Sequence, residues 1–184
     1  MNAKHRLSKA MTLVCLIMIL GTAIVPFTPA LAAGVNEDQT PPVKEQAVNA
    51  RLTAIWERLQ DIYDQQGRIL DRAEKVIDLN QIRLDFAASK GLDTSAVQAA
   101  LDVFADAVKD AHPIHESGQG IIASHKGFNA DGLVTDRPRA IETTQNLAAN
   151  LKEIRSLVKD PFVLLCQAIR AFREANHPTT AATP

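Results

Sequence analysis

The stretch VNARLTAIWERLQDIYDQQGRILDRAEKVIDLNQIRLDFA, residues 48–87, decides the fold. Val48, Leu52, Ile55, Leu59, Ile62, Gln66, Ile69, Ala73, Val76, Asn80, Leu84 and Ala87 follow one another at steps of three and four. That spacing holds side chains on one face of an α-helix. Trp56, Tyr63, Leu70, Ile77 and Leu84 recur at seven-residue intervals beside the stripe and widen it. A widened stripe suits a helix with two neighbours. Gly67 lowers local helix propensity by about 1 kcal/mol relative to Ala, yet the apolar phase passes it without a slip. One long helix is expected, in preference to a hairpin at residues 64–68.

Lys90 and Gly91 read as its end, with Asp93, Thr94 or Ser95 capping the next helix. The second pattern is Val97, Leu101, Phe104, Val108, Ala111, His115, Gly118, Ile122 and His125, and Pro113 interrupts its backbone without disturbing its phase. A kink near residues 109–112 is expected, because proline removes an intrahelical hydrogen bond. A glycine-bearing loop over residues 126–135 leads to a third start at Asp136 and a face of Ala140, Thr144, Leu147, Leu151, Ile154 and Val158. After Asp160 and Pro161 the stripe moves by one residue to Phe162, Leu165, Ile169 and Phe172, as in a kinked or broken third helix. No run alternates with period two as a strand would.

The expected fold class is all-α: an elongated, antiparallel, coiled-coil-like bundle of three helices, with a four-helix bundle as the alternative if Pro161 breaks the last helix. Full helicity would make the three patterns ~68, ~48 and ~60 Å long.

Residues 1–32 have the layout of a secretory signal: Lys4, Arg6 and Lys9, then an apolar run over residues 11–25, then Ala30 and Ala32 before a cut ahead of Ala33. The run is short for a membrane span, which needs about 20 residues, so a cleaved signal is expected in preference to a retained anchor. Residues 33–43 read as a flexible linker, residues 44–177 as the bundle and residues 178–184 as a disordered Thr/Ala/Pro tail. The expected location is extracytoplasmic: secreted, periplasmic or associated with the cell envelope.

Cleavage leaves 17 basic residues against 21 acidic ones, a balance without electrostatic reason to bind nucleic acid or an anionic membrane, and no membrane insertion is expected once the signal is cut. It also leaves Cys166 as the single cysteine, in an apolar run where a buried thiol is expected and an internal disulfide is excluded.

The residues richest in chemistry are His112, His115, Glu116, His125 and Asp131. Zinc takes three or four His nitrogens or carboxylate oxygens. His112, His115, His125 and Asp131 would supply them only if the chain folded back, and the sequence has neither an HExxH motif nor paired CxxC. The competing expectation is structural: His115 and His125 as polar members of the core, His115 opposite Gln66 in a hydrogen-bonded layer that fixes register, and His112 beside freed carbonyls at the Pro113 kink.

Asn129, Asp131, Gly132, Val134 and Thr135 resemble the middle of an EF-hand calcium loop. Gly127 and Pro138 stand where its first acidic ligand and its final bidentate Glu belong, so a plain interhelical turn accounts for them better. Ser117 and Ser124 have no glycine elbow, and CxxCH and paired Glu-x-x-His motifs are missing. No catalytic residue, metal site or cofactor is therefore assigned, and an enzyme is not expected.

Charged residues such as Glu57, Arg58, Asp61, Arg68, Asp71, Arg72, Glu74 and Lys75 read as the solvated face of the first helix. The function expected is a non-catalytic structural or protein-interaction module, open to a protein partner or to self-association. Trp56, Tyr63, Leu70 and Ile77 would form its groove if they stay exposed. The alternative is a small-ligand or metal-binding bundle that uses residues 112–131.

Overall fold

The computed structural model describes residues 41–176. They form three packed α-helices: α1, Pro41–Ser89; α2, Ser95–Ser124; and α3, Arg137–Asn176. The described residues contain no strand, only an isolated bridge between Phe128 and Val134. The all-helical expectation holds. α1 is one helix through Gly67, and α2 and α3 each carry a proline inside a single helix, Pro113 and Pro161. The break that would have made a fourth helix does not occur. The cut between leader and linker lies outside the described residues. α1 begins at Pro41, and proline suits a first turn because its missing N–H would have had no partner there. The bundle's far boundary and the Thr/Ala/Pro tail also lie outside the described residues.

The helix ends follow local chemistry. Gly91 takes a φ of +76°, and Leu92 N donates to Ala87 O at 3.2 Å while Gly91 N donates to Ala88 O at 2.8 Å. This is the Schellman closure, in which glycine enters the left-handed region without a Cβ penalty. Asp93 Oδ1 then accepts from the backbone N (3.0 Å) and hydroxyl (2.7 Å) of Ser95, and those bonds hold its carboxyl below the usual range. At the head of α3, Asp136 Oδ1 accepts from Arg139 N at 3.2 Å, the cap expected from the sequence.

The described residues divide into two compact units, each with its own core. The first comprises Gly67–Ile114 and residues 153–176. Its core joins Leu70, Ala73 and Leu84 of α1 to Val97, Leu101, Phe104, Val108 and Ala111 of α2 and Ile154, Leu165 and Ile169 of α3. Phe104 is completely buried, 5.6 Å from Phe162 between ring centroids. Asn80 is buried in the same unit at 1% exposure.

The second unit comprises residues 41–66 and His115–Lys152. Leu52, Trp56, Leu59 and Tyr63 pack there with Phe128, Ala140, Leu147 and Leu151. The Trp56 and Phe128 rings stack at 4.9 Å, 12° from parallel.

The condition set for an apolar groove on α1 is not met. Trp56, Tyr63 and Leu70 are buried and Ile77 packs against the first core, so these residues offer no groove. The widened stripe is consumed by the neighbouring helices. The large apolar side chains left exposed on α1 are Leu79, Ile82 and Phe86, at 48, 65 and 50%.

Candidate functional site

In the second unit, α1 and α2 meet through an aromatic pair. His115 stacks on Tyr63 at 4.0 Å between centroids and 7° from parallel. The His115 Nε2–H donates to the Tyr63 carbonyl at 3.1 Å. A carbonyl can only accept, so Nε2 carries a proton in this contact. Gly118, three residues on from His115, makes room for this packing. A Cβ there would meet Asn150 Oδ1 at 2.7 Å and the Tyr63 ring at 3.0 Å. Asn150 Nδ2 donates to Ser117 Oγ at 2.8 Å. Gln66 Nε2 donates to the Leu151 carbonyl at 3.2 Å, while its Oε1 is buried and accepts no hydrogen bond among the described residues.

His115 is thus a polar member of the seam, but its partner is Tyr63 and not Gln66. The Tyr63 ring offers a flat apolar surface together with a carbonyl, whereas Gln66 turns to α3. Burial, with the nearby negative charges of Asp64 and Glu116, pushes the Tyr63 hydroxyl pKa up.

His125 departs further from its expected place in the core. It is exposed, with φ +30°, and its Nδ1 lies 3.0 Å from the Ala123 carbonyl. α2 has already ended at Ser124, so the apolar period that runs through His125 continues past the helix that would give it meaning.

The loop that follows is closed by its own backbone. Gly127, at φ +85°, offers its carbonyl to Thr135 N (2.9 Å) and Asp136 N (3.2 Å). Asn129 Oδ1 accepts from Leu133 N at 2.8 Å and from Asp131 N at 3.1 Å. The oxygen that an EF-hand would turn to a cation holds this turn together instead. Asp131 is exposed at its tip. Thr53 Oγ1 donates to the Gly132 carbonyl at 3.2 Å, and the loop borders a shallow open groove lined by Gln46, Asn49, Thr53, Glu57 and the half-exposed Leu133.

His112 belongs to the first unit, where its Nε2 lies 3.0 Å from Glu74 Oε1. That nitrogen makes no well-directed hydrogen bond among the described residues, so the contact is one of proximity. It replaces the expected pairing with carbonyls freed at Pro113. Cys166 is partly buried rather than fully so. Among the described residues no three of His, Cys, Asp and Glu gather to hold a metal ion. His112, His115, His125 and Asp131 each have a separate setting. No described helix is long and apolar enough to cross a membrane.

Reading along the first apolar stripe missed a second one. Arg68, Arg72, Lys75, Leu79, Ile82, Phe86 and Lys90 also follow steps of three and four, and all seven are exposed. The signal was present, masked by charges that read as an ordinary solvated face. No protein-family model matches the sequence, and no curated protein or solved structure is significantly similar to it.

Proposed function

We propose that this chain is exported, loses its leader near Ala32, and acts outside the cytoplasm as a non-catalytic helical module that spaces or joins other proteins. The observation that carries the reading is a contrast. The side chains with chemical potential, His115 foremost, are engaged in packing, while Leu79, Ile82 and Phe86 face solvent on one side of α1. An exposed apolar cluster on a folded protein marks an interaction site. In finer detail, the helices run up, down and up with a coiled-coil-like seam, and α2 and α3 bend at Pro113 and Pro161. The steps of three and four support the seam, and the missing proline N–H supports the bends.

The experiment is chemical cross-linking in the producing cells, followed by N-terminal sequencing of the recovered chain and identification of its neighbours. The expected outcome is a chain that begins at Ala33, outside the cytoplasm, joined to one or a few proteins. A chain that keeps Met1 in the cytoplasm, or that joins nothing, removes the reading.

A further inference from the structure

We infer that the exposed stripe of α1 centred on Leu79, Ile82 and Phe86 is a docking surface for an acidic amphipathic helix of a partner protein. The inference rests on the interaction-module reading and names the class of partner. The spacing of the three anchors, i, i+3 and i+7, is the pattern by which one helix receives another. Their exposures of 48, 65 and 50% leave apolar surface in water that a second apolar ridge would cover.

Charge selects the occupant. Arg68, Arg72 and Lys75 continue the stripe on one end and Lys90 on the other, with all four exposed. The Lys90 amine lies 5.2 Å from the centre of the Phe86 ring, so a cation sits at the apolar patch itself.

The acidic residues of this part of α1 gather along one edge of the stripe, where Asp78 and Asp85 lie four before and three after Ile82. Asp71, Glu74, Asp78 and Asp85 are spaced three, four and seven apart, a stripe of their own. That edge borders α2: Glu74 meets His112, and Gln81, whose amide donates to Asp85, exchanges two hydrogen bonds with Gln98. The free side is therefore apolar at its middle and basic at both ends. A partner helix with three apolar residues at the same spacing and carboxylates about them is complementary to it.

A second copy of the chain is the wrong partner for this face. An isologous antiparallel contact that sets Leu79 against Phe86 also sets Lys75 of one copy against Lys90 of the other. Like charges at that range oppose association.

The test uses the purified protein and fluorescein-labelled synthetic helices. One carries Leu at i, i+3 and i+7 flanked by Glu; its control has Lys for every Glu. Saturable binding of the Glu helix alone is expected from fluorescence anisotropy. The combined variant Leu79→Ser, Ile82→Ser, Phe86→Ser should weaken it by about tenfold or more, as should Arg72→Glu with Lys75→Glu, which should also admit the Lys helix. All the substituted side chains are exposed, so circular dichroism and melting should match the unaltered protein. If a variant misfolds, salt titration of the unaltered protein decides: binding should fall about tenfold as the Debye length shrinks toward ~3 Å.

Equal binding of the two helices, no saturable binding, salt-independent binding, or affinity unchanged in folded variants overturns the proposal. So does a dimer abolished by Ile82→Ser, or co-sedimentation with phosphatidylglycerol vesicles in place of helix binding. A chain that cross-links to neighbours in its compartment yet ignores the Glu helix keeps the module reading and loses this face. A chain that binds the helix but cross-links to nothing loses the module reading instead.

Discussion

Gly127 combines two demands that no other residue meets together. Its φ of +85° lies in the left-handed region, and a Cβ added there would come within 2.6 Å of the Asp136 carbonyl and strike the backbone nitrogen of Ala140. Backbone atoms cannot rotate away as a side chain can. Gly127→Ala should lower stability by about 3 kcal/mol or more, read as a drop in the urea midpoint with an unchanged slope. Tyr63 makes a second prediction. Its native hydroxyl holds its proton above the usual 10.0 because it is buried and lies near Asp64 and Glu116. The native state therefore binds this proton more tightly than the unfolded chain does. The stabilisation is complete below pH ~10 and is lost as pH rises through the native value. Thermal melts across the alkaline range should show that decline in the parent protein and a shallower one in Tyr63→Phe. At this scale the sequence was half legible. The place of His115 on the buried seam followed from its spacing, but its partner did not, since register depends on how neighbouring side chains lean. His125 misled because periodicity carries no mark of where a helix stops.

At the scale of the helix, Asn80 is the position at odds with its surroundings. Its Nδ2 donates to the Val76 carbonyl within α1 at 2.8 Å, while its Oδ1 is buried and accepts nothing among the described residues. A buried unpaired acceptor carries most of its desolvation cost, about 1–3 kcal/mol. Leucine has the same branched outline, is somewhat larger, and has no polar atom. Asn80→Leu should raise the midpoint of chemical unfolding, a gain of about 1 kcal/mol, and a loss of stability would mean that a water or partner satisfies Oδ1 in solution. The elements themselves were the most legible part of the chain. Three helices, the Gly91 stop and the Asp136 cap all follow from apolar steps read with capping residues. The second stripe on α1 escaped because its apolar members are few and its charges, taken one by one, look like any wet helix surface. Only burial separates Leu79, Ile82 and Phe86 from the apolar positions beside them.

Over the whole molecule, the two cores draw on the same three helices, none of which is interrupted. Melting one core would fray helices that the other needs, so unfolding is expected to be a single cooperative transition. Trp56 is the chain's one tryptophan and is 2% exposed, stacked on Phe128. Its fluorescence follows the second core alone, while far-ultraviolet circular dichroism follows every helix. Urea curves from the two signals should superimpose, and separated midpoints would show that the units melt independently.

The sorting of charge around α1 also bears on how fast a contact forms. With Arg68, Arg72, Lys75 and Lys90 along one side and Asp71, Glu74, Asp78 and Asp85 along another, this part of the helix is polarised across its axis. An approaching polyanion feels a torque as well as a pull, and is turned toward the cationic side at about one Debye length, ~10 Å in 0.1 M salt. Orientation then precedes collision, and dilute electrolyte would quicken capture far more than it would lengthen residence.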